Sequence, residues 1–404
     1  MFVSILLADA SGGTYTRGGP VEYGATALLL MQLLIGRACF KRWRAKLPRT
    51  AFLASVAALA VLEMATVTAL CFTWSGTMYT SDVMPVGLRT AIVAVGYLWI
   101  LLSSVAGLTA LIARLLIAGT PALHSAERRR WLGAAGVVAF AAPVAAAAFG
   151  VIVERNQYRT RELDLPVTGL HPDLEGFRIV QVSDLHVSPF LSPREAGRVV
   201  DMANELRADL ALFTGDLISE LGDPLDAAIR ELIRLRADYG VLGCMGNHEQ
   251  YTGCSDYLER EAGKAGILLL RHAATQVRRG QGVLNIAGVD YQRKGGPRGY
   301  LPGAGQLVMP GASNILLSHN PDVFPTAIRR GFHAVIGGHT HGGQINVEIL
   351  HQNINPARFR TPFTSGLYRR DDASCFVNNG IGTIGMPIRL GAPPEIALLR
   401  LRRA

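Results

Sequence analysis

Five short polar motifs in the C-terminal part of the chain contain residue types that bind divalent metal ions. Each follows a short apolar run. In chain order they are Ser183–His186, Thr214–Asp216, Gly246–Glu249, His319 and Gly338–Gln344. Carboxylate, amide and imidazole groups suit ions such as Mn, Fe and Zn. The potential ligands are more than one ion needs, so they predict two: Asp184, His186, Asp216, Asn247, His319, His339 and His341.

Each motif alone has an ordinary structural explanation. Asp184 can cap a helix, Gly215-Asp216 can form a turn, and a lone histidine such as His319 is more often a core or surface residue. Five such motifs in succession, each after an apolar run, are not explained by turn chemistry. A carboxylate such as Asp216 can bridge two ions about 3.5–4 Å apart, and neighbouring glycines let the backbone approach closely. We interpret the other histidines as structural or surface residues: His124, His171, His272, His333 and His351.

The elements that must position these motifs are short strands alternating with helices. Strands are predicted at 177–182, 209–213, 240–244, 266–270, 283–289, 313–318, 334–337, 374–378 and 396–401. Helical spacing of apolar residues predicts helices at 193–206 and 225–235. This alternation predicts a layered α/β domain, and the short later connections favour a mixed sheet or two packed sheets. Sites in such domains form where loops leave the carboxyl ends of strands.

The order Asp-x-His, Gly-Asp, Gly-Asn-His-Glu, His, Gly-His-x-His resembles the calcineurin-like metallophosphoesterase superfamily over about Phe177–Leu399. Three stretches are similar to its bacterial membrane-associated branch: Gly338–Gln344, Asn378–Gly382 and Pro393–Ile396. The resemblance implies a sandwich of two mixed β-sheets flanked by helices. It also implies a metal-dependent phosphoesterase that cleaves phosphomonoesters or phosphodiesters.

The resemblance implies a role for each motif residue. One divalent ion would take Asp184, His186, Asp216 and His341; the other would take Asp216, Asn247, His319 and His339. Asp216 would bridge the pair. His248 would not bind metal but would lie beside the substrate phosphate, stabilising charge or donating a proton to the leaving oxygen. Asn320, Gln344, Tyr291, Asn379 and Arg389 lie near the motif loops and are weaker candidates for substrate contacts.

The N-terminal part of the chain is apolar enough to cross a membrane several times. Four stretches have the required length of about 20 residues: Val21–Phe40, Ala51–Phe72, Thr90–Ala113 and Trp131–Val153. The predicted architecture is a four-helix transmembrane bundle followed by the two-sheet sandwich. Its parts are an N-terminal lead (1–20), the four spans (21–153), a linker with a first strand (154–176) and the metallophosphoesterase domain (177–404). Glu63 inside the second span is interpreted as hydrogen-bonded to a neighbouring helix.

Basic residues orient these spans. The net charge is +9, and the excess lies in the loops after the first and third spans, which places both loops in the cytoplasm. The resemblance to the bacterial membrane-associated branch implies an integral protein of a bacterial cell membrane, and this orientation predicts an extracytoplasmic catalytic domain. The C-terminal half has no basic stripe interleaved with aromatics, so a nucleic-acid partner is not expected. Cys244 and Cys254 would form a disulfide only in an oxidising compartment.

Two further questions stay open at the level of sequence. The anchor favours a lipid-linked or envelope-linked phosphate ester as substrate. The alternative is a membrane transporter or sensor with a regulatory phosphoesterase-like domain, for which Glu63 is the only support. Oligomeric state is not determined by these patterns.

Overall fold

The computed structural model describes residues 36–37, 40–41, 44–75, 85–118, 126–293, 299–349 and 352–404. The chain divides into two compact units. The first comprises residues 1–78 and 87–149, and the second comprises residues 79–86 and 150–404. The predicted lead at 1–20 and most of the first predicted span lie outside the described residues, and the predicted domain boundaries stay predictions.

Two long helices of the first unit have the length and composition of membrane spans. They are α1 (Arg49–Ser75) and α2 (Val86–Ala118). Their most apolar segments are Arg49–Cys71 and Val86–Leu108. Only 11% and 22% of the most apolar stretch in each of them is buried within the structure. The second and third predicted spans fall within these helices. The fourth coincides with a helix, α3 (Ala126–Ile152), which contains Pro143. In the described part of the chain, two helices rather than four are long and apolar enough to span a membrane.

Small residues bring α1 and α2 close together. A Cβ at Gly96 would lie 2.6 Å from the carbonyl oxygen of Ala65, so the helices approach backbone to backbone, as small residues allow in membranes. The Trp99 indole nitrogen donates to the Glu63 carboxylate over 3.0 Å. The interpretation of Glu63 as a helix-pairing residue agrees with this contact.

The second unit contains two six-stranded mixed sheets. The first has the order β1 (Arg159–Val167), β14 (Glu395–Arg403), β2 (Arg178–Val182), β3 (Leu210–Phe213), β4 (Val241–Gly243) and β5 (Ile267–Leu269). The second has the order β12 (Gly366–Arg370), β13 (Ala373–Val377), β9 (Ala334–Gly337), β8 (Ser313–Leu317), β7 (Gly282–Gly288) and β6 (Ala273–Arg279). A hairpin, β10 (Val347–Ile349) with β11 (Gln352–Ile354), stands apart from them.

Strand alternation sorts the buried side chains into three layers. Along β3, Leu210 and Leu212 enter the core between the sheets, whereas Ala211 and Phe213 pack in the layer beneath the helices. Along β8, Ile315 and Leu317 face the same central core. Successive strand residues point to opposite faces, so strands covered on both sides read as continuous apolar runs. The predicted two-sheet sandwich is therefore confirmed for this unit.

Helices cover both sheets. On the first sheet lie α4 (Pro193–Glu205), α5 (Leu225–Leu232) and α7 (Ser255–Lys264), and on the second lies α8 (Phe324–Arg329). A short helix, α6 (Asn247–Tyr251), follows β4. The start of α4 has a complete capping box between Ser192 and Glu195, which satisfies backbone N–H groups that the first turn leaves unpaired.

Candidate metal centre

The five motifs meet at the carboxyl ends of parallel strands. Strands β2, β3 and β4 run parallel in the first sheet, and β8 and β9 run parallel in the second. Each motif begins within three residues of the end of its strand. Parallel strands deliver their carboxyl ends to one edge, so the two facing sheets present their loops to a common site.

Asp216 lies between histidines from both predicted ligand groups. Its Oδ2 atom is 2.9 Å from the Nε2 atom of His319 and 3.5 Å from that of His186. The side chain of His339 offers a ligand atom within 4.8 Å of those of Asp216 and His319. One carboxylate oxygen is thus within reach of ligands from both sheets.

A second cluster forms around Asp184. Its Oδ1 atom is 3.3 Å from Nε2 of His341, and the Nε2 atoms of His341 and His186 are 3.1 Å apart. These three side chains form a group with ligand-atom spacings suited to one ion. The backbone N–H of His339 donates to Asp184 over 3.0 Å, which orients the carboxylate.

The hydrogen bonds of the imidazoles fix which nitrogen is free to bind a cation. Nδ1 of His319 lies 2.6 Å from the carbonyl oxygen of Thr214. A carbonyl only accepts, so Nδ1 carries a proton, and the lone pair of Nε2 becomes available to a cation when that atom is deprotonated. Nδ1 of His186 lies 3.1 Å from the Ser219 hydroxyl. Outer hydrogen bonds of this type are typical of metal-binding histidines.

Two buried atoms of the cluster favour bound cations. In the described part of the chain, Oδ1 of Asn247 and Nε2 of His319 are buried without a hydrogen bond. Buried polar atoms are rarely left unsatisfied in proteins. An amide oxygen and an imidazole lone pair both lack a donor here, and a divalent cation satisfies both. The residues present therefore fit divalent metal ions.

The buried aspartates and histidines of the cluster shift one another's pKa values. Burial raises the pKa of Asp184, and the nearby Asp216 charge raises it further. Burial also acts to raise the pKa of Asp216, but the charges of His319 and His248 outweigh it and hold that pKa well below its usual range. Burial lowers the pKa of His339 to about 3, with His319 adding to the effect. Burial acts to lower the pKa of His319, but the Asp216 and Asp184 carboxylates outweigh it and raise that pKa to about 10. Binding of a divalent cation to Nε2 of His319 therefore releases a proton.

Several ligand candidates have an unusual backbone. Asp184, His186, Asp216, His339 and His341 all have φ between 48° and 74°. This left-handed region is uncommon for non-glycine residues. Such conformations persist only where surrounding structure imposes them, and they concentrate at functional sites.

His248 lies beside the cluster. Its Nδ1 atom contacts the carbonyl oxygen of Ser219, and its ring centroid is 4.7 Å from that of His186. Its backbone N–H donates to Oδ1 of Asp216 over 2.9 Å. Burial lowers the pKa of His248 to about 4. The Ser219 carbonyl therefore fixes the orientation of the His248 ring.

Asn247 enters the site through its neighbours. It begins α6, between Gly246, which packs against Asp216, and His248. The six other ligand candidates are linked by the side-chain distances above. Six of the seven predicted ligands thus lie around the Asp216 and Asp184 carboxylates, and Asn247 stays a candidate through its neighbours in the chain.

Two supporting residues were missed or misread from the sequence. Glu249 accepts backbone N–H bonds from Asp216, Leu217 and Gly246 over 2.7–3.0 Å. Its position as third residue of α6 in a capping box was the available signal. Arg389, considered as a substrate contact, is instead fully buried and donates to the carbonyl oxygens of Gly382, Asn379 and Ala392.

Of the other weaker candidates, Tyr291 packs against a histidine of the cluster. Its ring centroid is 5.2 Å from that of His339. Asn320 accepts from Asp322 N–H at the start of a 3-10 turn, Gln344 bonds to Ile384, and Asn379 accepts from the Ser365 hydroxyl. Cys244 and Cys254 are free thiols, so the disulfide left open above is not formed.

The comparisons with known proteins agree with this geometry. Residues 177–343 match the family described as calcineurin-like phosphoesterase. The chain is 28% identical over 282 residues to the Bacillus subtilis metallophosphoesterase YkuE, covering 68% of this chain and 98% of that protein. It is 29% identical over 272 residues to a Danio rerio transmembrane protein with metallophosphoesterase domain, covering 64% of this chain and 60% of the relative.

A solved structure, the phosphopantetheinyl hydrolase PptH of Mycobacterium tuberculosis, aligns with 48% of this chain and 95% of its own at 15% identity and a TM-score of 0.31. Fold, clustered ligands and sequence relatives define the class: a metal-dependent phosphoesterase. The similarity to the calcineurin-like phosphoesterase family is thus shown for residues 177–343 of this chain.

Proposed function

We propose that this protein is a membrane-anchored hydrolase with two divalent metal ions that cleaves a phosphomonoester or phosphodiester, lipid-linked or envelope-linked. The observation that carries the proposal is the position of Asp216 Oδ2, within 3.5 Å of a histidine from each ligand group. A carboxylate shared in this way is the usual bridge of a two-metal phosphoesterase.

The proposed roles follow the two groups. Asp184, His186, Asp216 and His341 hold one ion; Asp216, Asn247, His319 and His339 hold the other. When bound, the two ions supply an activated water and neutralise charge on the phosphate oxygens. His248 stabilises the phosphate through Nε2 or passes a proton to the leaving oxygen, while the Ser219 carbonyl holds its ring. Manganese, iron and zinc all suit this ligand set.

The membrane anchor is supported by the apolar helices α1 and α2 and by relatives named as transmembrane proteins. We propose that the first and fourth predicted spans complete a four-span anchor. The basic loops then lie in the cytoplasm and the catalytic domain lies outside it. An ester at the membrane surface is the substrate class that this arrangement favours.

The test is hydrolysis by the purified full-length chain in detergent. Bis-p-nitrophenyl phosphate and p-nitrophenyl phosphate are the probes, each with added manganese or with a chelator. We expect manganese-dependent turnover that the Asp216→Asn variant lacks, with metal content lost in parallel. If neither ester is turned over faster by the native protein than by that variant, the alternative of a membrane sensor or transporter with a regulatory domain is favoured.

A further inference from the structure

An exposed aromatic residue lies on the surface of the second unit, which contains the candidate metal centre and is called the catalytic unit below. Phe359 is 95% exposed, the largest value among the large apolar side chains that the structure describes. Single exposed apolar residues are common, but Phe359 is flanked by the exposed residues Arg358 and Arg360. We call these three residues the Arg358–Arg360 tip. Ile354, four residues before it, is 53% exposed.

The tip is held on an ordered support. It follows Asn355, a buried residue whose Oδ1 atom accepts from Ala357 N–H over 3.0 Å, and Pro356 begins the 3-10 turn Pro356–Phe359. The Asn355 amide also donates to the Gly342 carbonyl over 3.0 Å. The exposure of Phe359 is therefore imposed by a packed turn.

The same turn lies beside the loop Gly338–Gln344, which carries His339 and His341 and is called the metal loop below. Gly342 directly follows His341, and a Cβ at Gly343 would overlap the Asn355 amide. The hydrogen bond from Asn355 to Gly342 therefore connects the turn that carries the tip to the metal loop.

Contacts within the catalytic unit also connect this region to the end of α3. The Asn346 N–H donates to Leu390 O over 2.7 Å, and the Asn355 amide lies 3.4 Å from Asn346 Oδ1. The neighbouring Arg389 N–H donates to Gly150 O over 3.2 Å. Gly150 belongs to the same compact unit and lies in the last turn of α3.

The positive charge of the Arg358–Arg360 tip indicates a negatively charged partner. Neither Arg358 nor Arg360 forms an ion pair with an acid that the structure describes. Two free guanidinium groups flanking an aromatic ring suit a surface with negative phosphates above an apolar layer. Aromatic and basic side chains bind bilayer interfaces in this combination, and basic residues near an anionic surface add to the attraction.

We propose that the Arg358–Arg360 tip, with Ile354, is a membrane-contact surface whose partner is an anionic phospholipid bilayer. Phe359 enters the interfacial region, and Arg358 and Arg360 pair with headgroup phosphates. The contact holds the metal loop against the lipid surface from which an ester would be taken. It rests on the membrane anchoring proposed above but not on catalysis.

Bilayer contact is tested with the full-length chain in nanodiscs. A bimane is attached to Phe359→Cys, in a background with Cys39→Ala and Cys71→Ala so that the remaining cysteines are buried. Brominated phosphatidylcholine, with or without phosphatidylglycerol, is the quencher. The matched control is Leu268→Cys, an apolar position 47% exposed on the edge strand β5.

We expect several-fold stronger quenching at position 359 than at 268, increased by phosphatidylglycerol. Adding Arg358→Glu and Arg360→Glu should abolish most of that increase. Equal quenching at the two positions overturns the proposal, as does a label at 359 that is shielded only when a cell extract is added, because the partner is then a protein. Bis-p-nitrophenyl phosphate turnover in the same samples should be unchanged by the tip substitutions, and its absence in all of them would count against the proposed function alone.

Discussion

The Asp216 carboxylate links the whole candidate site. Oδ2 faces His319 and His186, Oδ1 accepts the His248 N–H, and the Asp216 N–H donates to Glu249 over 3.0 Å. These contacts come from three separate segments, the loops after β2 and β8 and the helix α6 after β4. A residue with so many oriented contacts is pre-organised, so small displacements of it should affect metal binding and turnover together.

Replacing the imidazole of His248 should lower the rate of hydrolysis without lowering the metal content. His248→Ala removes a side chain that contacts Ser219 and the edge of the His186 ring but leaves the proposed ligands. We expect kcat to fall by about 10²–10⁴, the usual contribution of a positioned acid or base. Metal content measured by mass spectrometry should stay near the native value. Native kcat in this variant would rule out the proposed role of His248.

The pH dependence of stability should report on Asp223. Its Oδ2 atom accepts from the N–H groups of Ser219 and Glu220 over 2.9 and 2.8 Å, while Oδ1 is buried without a hydrogen bond in the described chain. Burial raises its pKa to about 7, against about 3.9 for an unfolded chain. The folded state therefore binds a proton that the unfolded state has released, and stability falls as pH rises between these values.

Asp223→Asn should remove this dependence. In chelator, the unfolding free energy of the native protein should drop relative to the variant as pH rises from about 4 to about 7, by up to about 4 kcal/mol. Thermal melting across this pH range measures the difference. Asp238→Asn, at an exposed position, is the control and should follow the native curve. A native curve parallel to that of Asp223→Asn would contradict the expectation.

At the scale of elements, the strand ends place the ligands and glycines allow them to converge. The loops after β3 and β4 approach so closely that a Cβ at Gly246 would lie 2.1 Å from Oδ1 of Asp216. Gly246 has φ of −92°, which any residue adopts. The requirement at this position is therefore space rather than backbone freedom.

Gly246→Ala should displace Asp216 without straining the backbone. We expect metal affinity to fall by about 10- to 100-fold, comparable to loss of a residue that orients a ligand. Manganese titration of esterase activity measures it. The control is Gly263→Ala in α7, where an added Cβ meets nothing within 4 Å. That variant should keep native affinity and gain about 0.5–1 kcal/mol of stability from helix propensity. Equal affinities in both variants would show that the close approach is not needed.

At the scale of the whole molecule, the chain terminus completes the core. Strand β14 lies between β1 and β2, parallel to the first and antiparallel to the second. Ile396, Ala397, Leu398, Leu399 and Leu401 are fully buried. The catalytic unit therefore closes only when its last residues are in place.

Removal of residues 395–404 should prevent folding of the catalytic unit. Burial of each large apolar side chain contributes about 1.5–3 kcal/mol, and a domain is stable by only about 5–15 kcal/mol. Loss of the strand also removes the pairing partner of β1 and leaves one edge of β2 unpaired. Protease resistance and esterase activity should both disappear, whereas removal of Ala404 alone should change neither. A truncated protein that stays resistant and active would contradict this account of the core.

The residue types and order of the five motifs, and the strands before them, were predictable from the sequence. Nine of the predicted strands are observed, from β2 to β14, because strands covered on both faces are short continuous apolar runs bounded by glycine and polar turns. Strands β6 and β12 were missed. They lie at sheet edges, with exposed and basic residues such as Arg278 and Arg369, so their sequences lack that signal. The short helix α6 was also missed, because five residues show no helical period.

The tertiary structure alone decided which candidate ligands lie together, because that depends on distances between side chains far apart in sequence. It brings Asp184 to His341 and Asp216 to His319, pairs separated by more than a hundred residues. It also buries Arg389 beneath His341 and imposes the left-handed backbone at five ligand positions. The sequence determined which groups are available to bind metal, since that depends on residue type. Packing of the two sheets determined where those groups point, since each orientation is set by neighbours from other loops.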